Sequence, residues 1–394
     1  MVERILFIAE NKLCVFSQGK LGYLTSQPLN MYRRNVMDIQ RRNEWKSVGT
    51  GARFMYGEGS HLDFENYDAT DIASVSFLND DTMVYALNIE RNTGIHVKNI
   101  LDDKEPEGFI IRKNNMNIFK LDYQAETGRI AVCASDSAIE RHIVIFNDKN
   151  TDYHFVTEGD CLDQNPSWSK LHKDTIFYDS CGIARDGTGS FAGFGPRCIC
   201  KLSLDDGGLS EIASDEKSDF IKPFEDSEGN VYYMKKPYKM AGAKETMSFR
   251  DIVLMPLKLC KAIFGWLNFF TQRYSGQSLK TSGGNPAQAR EKSAEEMFIE
   301  GNLVNVLKAQ KENEKLGDQH PGLVPRSWEL IKKQPDGKEL VLKKGLLDFH
   351  VCENGDIIYS NGNYLMKMDS NGNDSMLAKV KLAASLVGIN RQQG

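Results

Sequence analysis

Short runs in which apolar and polar residues alternate, broken at close intervals by Asn, Asp and Gly, occupy most of the chain and predict strands rather than helices. The stretch 163–214 holds one complete unit of four strands. Its markers are Trp168, then Ile176 and Tyr178, then Cys198 and Cys200, then 209–213, with turns at 170–173 and 205–208. Similar units recur at intervals of about 45 residues. One spans 72–77, 83–88, 94–99 and 108–111, and the next spans 117–123, 129–134, 141–147 and 153–157. Another begins at 219–224 and 230–235 and resumes only at 327–333 and 339–343. The last covers 348–352, 356–360, 364–369 and 375–380. The first residues supply three strands only, at 5–9, 13–17 and 21–25, while 385–389 is a lone strand at the far end. Pairing the two ends completes a sixth sheet and hides two open edges. The expected fold is all-β: a six-bladed β-propeller closed by its N- and C-terminal strands.

Two stretches depart from this rhythm. Residues 26–46 open with Ser26 and Pro28 and place Leu29, Tyr32, Val36 and Ile39 at helical spacing, which predicts a helix between blades one and two. Residues 238–326 split the fifth blade and read as a helical insertion. The chain therefore divides into blades at 1–237, the insertion at 238–326, and the remainder of the ring at 327–394.

Within the insertion, 252–270 reads IVLMPLKLCKAIFGWLNFF. On a helix Lys258, Lys261, Gly265, Asn268 and Gln272 form one narrow polar stripe. The rest of the surface is large and apolar: Leu257, Leu259, Ile263, Phe264, Trp266, Leu267, Phe269 and Phe270. About 19 residues could span a bilayer. Yet each central lysine would cost about 2.5–3.5 kcal/mol. Both ends also return to one blade, and no second apolar run brings the chain back. A second helix is expected at 293–313, with Ile299, Leu303, Val306 and Gln310 along one face and Phe298 and Leu307 widening it; 275–290 reads as a linker. One amphipathic helix cannot cover a helix that is apolar nearly all round. Residues 248–274 are accordingly expected to meet the propeller wall, a protein partner or second copy, or a membrane surface.

The run NPSWS at 165–169, followed by KLSLDDGG at 201–208, resembles the repeat of TolB-like (PD40-type) propellers; Lys170-Leu-His-Lys173 stands where that repeat has a Pro-Asp-Gly turn. The resemblance implies six blades and a tendency to bind partners. The family includes scaffolds as well as propellers attached to peptidases, and no peptidase domain is legible in this chain.

A net charge of −5 and a pI near 5.9 provide no global attraction to nucleic acid, and none is expected as a partner. The eight cysteines are scattered among strand-like runs, and the apolar run at 5–9 is too short for a signal peptide. Together these suggest reduced thiols in a cytoplasmic protein. Cys198 and Cys200 lie on one face of a strand and lack the second pair that a zinc site of that type needs.

Nothing in the spacing marks catalysis. The seven histidines show no HxH or HExxH, and Ser190 lacks the flanking glycines of a nucleophile elbow. The oxygen-rich stretches 225–230 and 369–374 sit where hairpins must turn. No catalytic residue, cofactor or metal is expected. The candidate anion site is the basic helix and the glycine loop after it: Arg33, Arg34, Arg41, Arg42, Gly49, Gly51 and Arg53. The glycine-rich loop 182–195 is a second candidate near the channel mouth. The function expected is a non-catalytic scaffold that docks a protein or a second copy through the apolar insertion. The alternatives are an enzyme or binder of a small anionic ligand at the channel mouth, and a propeller held at a membrane surface.

Overall fold

The computed structural model describes residues 4–47, 70–238, 296–299 and 302–389, except positions 91, 138, 150, 151, 186 and 190. The chain forms a six-bladed β-propeller in which every blade is an antiparallel sheet built around four strands in meander order. Blade 1 is composite: Ala384–Ile389 pairs with Arg4–Ala9, which pairs with Lys12–Ser17 and then Lys20–Leu24. Blades 2 and 3 are built from consecutive strands, starting at Thr70–Asn79 and Asn117–Gln124. Blades 4, 5 and 6 start at Cys161–Trp168, Ser218–Glu225 and Asp348–Val351. These first strands, with Ala384–Ile389, line the central channel. Blade 5 takes its third strand, Glu329–Lys333, from beyond the insertion.

Position in the blade explains the pattern of each strand. Second strands are sandwiched between neighbouring blades and buried on both faces, as in Met83–Leu87 and Ile130–Ser135. They consequently read as near-continuous apolar runs. Outermost strands such as Tyr153–Phe155 and Glu339–Lys344 are largely exposed, and they keep apolar residues such as Phe155 and Val341 on that surface. Each seam between blades holds its own apolar cluster. Trp168, with Cys133, Ile145, Ile176 and Tyr178, fills the seam between blades 3 and 4. Ile5, Phe7, Ile358, Leu365 and Leu386 fill the one between blades 6 and 1.

Helix α1, Gln27–Ser47, follows the composite blade and precedes the first blade built from consecutive strands. Two other segments differ from expectation. Where a helix is expected at 293–313, Glu296–Ile299 pairs with Asn302–Asn305 as a hairpin, and only Val306–Lys315 is helical (α2). A helix through 296–305 would have to include Gly301, at a cost of about 1 kcal/mol. Asn305 instead caps α2 by accepting a bond from the Lys308 amide at 2.8 Å. The buried face of α2 is Val306, Ala309 and Asn313, rather than one containing Gln310, and Leu307 is exposed. The glycine-rich loop is also more regular than its composition suggests. Thr175–Arg185 continues past the blade and Phe191–Phe194 pairs back onto it. The Phe191 and Phe194 rings pack with centroids 4.8 Å apart. No helix among the described residues is long and apolar enough to cross a membrane.

Candidate functional site

The first strands are irregular at one level of the channel. In five of the six blades the register against the neighbouring strand shifts, between Leu6 and Ile8, Ile72 and Ser74, Ile118 and Lys120, Gln164 and Ser167, and Ile221 and Phe224. Three residues beside these bulges, Asn165, Lys222 and Ser385, have φ of 48°, 57° and 55°, a left-handed conformation unusual for non-glycine residues. The bulges turn polar groups toward the neighbouring blade.

The result is a belt of hydrogen bonds that crosses every seam. Ser385 Oγ lies 3.1 Å from Ser74 Oγ and accepts from the Val75 amide and from Lys120 Nζ, both at 3.1 Å. Ser74 Oγ donates in turn to the Leu121 carbonyl at 3.4 Å. The Asp122 carboxylate accepts from the Trp168 amide at 2.8 Å, and the Trp168 indole donates to the Asp122 carbonyl at 3.1 Å. Asp179 accepts from Asn165 Nδ2 at 2.7 Å and from the Lys222 amide at 3.1 Å, and Arg197 lies 3.3 Å from its other oxygen. Lys222 Nζ donates to the Leu347 carbonyl at 3.1 Å and pairs with Asp348 at 3.2 Å. Asp348 closes the circuit by accepting from the Leu386 amide at 3.2 Å. Burial raises the pKa of Asp122, against the pull of Lys170 and the Trp168 amide. Burial, and then Lys170, lowers that of His350 on the same wall to about 4. The polar groups of this wall are therefore engaged in joining blades.

The basic helix is anchored at its root and again at Tyr32, whose hydroxyl donates to Glu90 at 2.9 Å. Ser26 Oγ accepts from the Leu29 amide at 3.3 Å and lies 2.8 Å from the Tyr85 hydroxyl. Glu107 accepts from the Gln27 amide at 3.0 Å and from Tyr85, and pairs with Lys98 at 3.1 Å. Asp103 accepts from the Thr25 amide at 2.7 Å and pairs with Lys98 at 3.0 Å. Partial burial opposes the ionisation of Asp103, but its bonds from Thr25 and Lys98 keep its pKa below the ordinary value. Beyond this root Leu29 is buried, whereas Met31, Met37 and Ile39 are 65%, 49% and 57% exposed. Arg33 is half-buried, and Arg34, Arg41 and Arg42 are exposed. Gly49, Gly51 and Arg53 lie outside the described residues, as do Leu257, Leu259, Ile263, Phe264, Trp266, Leu267, Phe269 and Phe270. A groove of about 480 Å³ between blades 4 and 5 is lined by Glu211, Phe220, Lys235, Lys333 and Glu339. There Lys333 donates to the Ile212 carbonyl at 2.7 Å and lies 3.5 Å from Glu339.

One cluster with metal-ligand chemistry was missed in the sequence. His142, Cys161 and Asp163 bring an imidazole nitrogen, a sulfur and a carboxylate oxygen to one point on the seam of blades 3 and 4. His142 comes from blade 3 and Cys161 and Asp163 from blade 4, so no local spacing announces the set.

No family model and no curated protein matches the chain. Solved structures do. The crystal structure of TolB from Acinetobacter baumannii matches over 98% of this chain and 66% of its own length, at 9% identity and a TM-score of 0.50. The chain thus spans just under two thirds of that protein. The tricorn protease matches over 98% of this chain and 34% of its own, at 9% identity and a TM-score of 0.47. A putative TolB from Agrobacterium tumefaciens matches over 76% of this chain and 77% of its own, at 10% identity and a TM-score of 0.37. With six blades each built around four strands and a likeness over 98% of its length to part of the Acinetobacter protein, this chain is, in fold, a TolB-like β-propeller.

Proposed function

We propose that the protein is a non-catalytic scaffold that docks another protein, or a second copy of itself, at one end of the ring. In a four-stranded meander the link between strands two and three and the link to the next blade emerge at the same end. Helix α1 is a link between blades, and the Phe191–Phe194 extension joins strands two and three of blade 4. The chain between Val231–Pro237 and Glu329–Lys333 interrupts the corresponding link of blade 5. All three depart from one end, and the Leu257 to Phe270 surface would be presented from there.

The observation that carries this reading is α1. Its root is held by a buried ionic network while Met31, Met37 and Ile39 face solvent beside Arg34. A large apolar side chain exposed alone is ordinary, but several along one anchored helix suit docking.

A photo-crosslinking residue placed at Met37, with a matched one at Asp205 in an outer turn of blade 4, tests the proposal in cells. Adducts, either with one protein or with a second copy, are expected at 37 and not at 205. They should fall sharply when 240–295 is deleted. A monomer by light scattering that gives no adduct above the control at 37 would end this reading.

A second reading is a small anionic ligand held by Arg33, Arg34, Arg41 and Arg42 with Gly49, Gly51 and Arg53. The exposure of Arg34, Arg41 and Arg42 favours it. A thermal-shift screen of phosphorylated metabolites on the native chain and on Arg41→Ala should then show a shift that the variant loses.

A further inference from the structure

We propose that His142, Cys161 and Asp163 form a binding site for a divalent transition-metal ion of the zinc class. His142 opens the third strand of blade 3, and Cys161 and Asp163 lie two apart on the first strand of blade 4, on the same face. Cys161 Sγ is 3.8 Å from His142 Nδ1 and 3.2 Å from Asp163 Oδ2, and the last two atoms are 3.9 Å apart. Zinc bonds of about 2.0–2.3 Å in tetrahedral arrangement put ligand atoms about 3.3–3.6 Å apart. Side-chain rotations of a few tenths of an ångström bring all three separations into that range.

The backbone is already fixed for this purpose. The Arg141 amide donates to the Cys161 carbonyl at 3.2 Å and the Asp163 amide donates to the Arg141 carbonyl at 2.9 Å, which stitches the two blades together at the site. Arg185 then straps both ligand-bearing segments from outside. It reaches Glu140, two residues before His142, at 2.8 Å and Asp160, next to Cys161, at 3.0 Å. Glu140 and Asp160, which flank the ligand-bearing residues in the chain, are thereby engaged by Arg185, and His142, Cys161 and Asp163 are the donor set.

The donor types point to the metal. A thiolate, an imidazole and one carboxylate suit zinc and its neighbours, whereas calcium and magnesium take oxygen ligands. On binding, the Cys161 S–H bond breaks, its proton leaves to solvent and the sulfur lone pair forms the metal bond. Neutral His142 binds through Nδ1 and keeps its proton on Nε2. Thiolate and carboxylate together balance the two positive charges. Asp163 and the His142 ring are largely buried, while Cys161 is only half-buried, so the ion can arrive from the ring's loop-bearing end. Three protein ligands leave one position for water or a partner's side chain.

Cobalt(II) is the probe, because a thiolate bond to it absorbs in the near ultraviolet. Titration of the reduced, metal-free full-length chain should give one equivalent with a sulfur-to-cobalt charge-transfer band and tetrahedral visible bands, displaced by zinc. Cys161→Ser should abolish the charge-transfer band, Asp163→Asn should weaken binding at least tenfold, and Arg185→Ala should weaken it less. Zinc should raise the melting temperature of the native chain and leave that of Cys161→Ser unchanged. Should Cys161→Ser fold poorly, His142→Gln serves, since it keeps the thiol but should lose tight binding. Absence of the band with the native chain overturns the proposal. So does a band that survives Cys161→Ser and disappears in Cys198→Ser.

Discussion

Replacing Glu107 with alanine removes the anion on which the root of α1 is built. Its side chain is 2% exposed and that of its partner Lys98 is 0% exposed. The variant strands a buried ammonium with Asp103 alone, whose side chain is 40% exposed and which reaches Lys98 at 3.0 Å. It also strips acceptors from the Gln27 amide and the Tyr85 hydroxyl. Breaking one side of a buried pair costs about 3–5 kcal/mol, and each orphaned donor adds to that. The surviving Asp103 contact keeps the expected loss near 3–4 kcal/mol. Lys98→Met should cost less, because Glu107 retains Gln27 and Tyr85 as donors. The double variant should cost less than the sum of the singles by about 2 kcal/mol, since neither charge is then left unpaired. Denaturant titration followed by tryptophan fluorescence reads the cycle, and hydrogen exchange reads the location. Amides of residues 27–32 should lose protection in Glu107→Ala more than those of blade 5 do. Additivity within about 0.5 kcal/mol, or equal loss of protection in both regions, would refute the assignment of this pair as the anchor.

Two further outcomes follow from individual side chains. Burial, and then Arg112, lowers the pKa of His96 to about 4, and the residue is 5% exposed against Tyr85. The unfolded chain takes up that proton near pH 6.5, so between about 6.5 and 4 it binds more protons than the folded one, and stability falls on acidification by about 3 kcal/mol. His350, whose pKa is also about 4, adds to the same window. The slope in denaturation midpoints should therefore shrink in His96→Leu, and an unchanged slope would count against this account. Asn165 combines a φ of 48° with a 2.7 Å bond to Asp179. Asn165→Ala should lose about 2–4 kcal/mol, part from backbone strain and part from the missing bond. Asn165→Gly should recover the backbone part, and a glycine variant no better than alanine would show that no strain is relieved there.

The blades were legible in the sequence because a strand sandwiched between two sheets must be apolar throughout, and one on the rim need not be. Ile130 to Ala134 could be placed on that ground, whereas the exposed aromatic strand Tyr153 to Phe155 was placed by its position as the fourth strand of its unit. The misreadings have equally local causes. Ile299, Leu303 and Val306 fall at helical spacing, yet Gly301 and the capping Asn305 favour a hairpin before the helix. Glycines between 182 and 195 suggested a loop, although Phe191 and Phe194 had a strand to pack on. The seams were illegible for a deeper reason. Lys222 and Ser385 carry no sequence mark of a left-handed backbone, and the bonds that join blades run between residues far apart in the chain. His142 and Cys161 are 19 positions apart and meet only because one starts the third strand of a blade and the other the first strand of the next. In a ring of meanders those two positions always lie at the same end. A thiol at one and an imidazole at the other are thus a pair to be sought by blade register, where a search for consecutive ligand spacing passes over them.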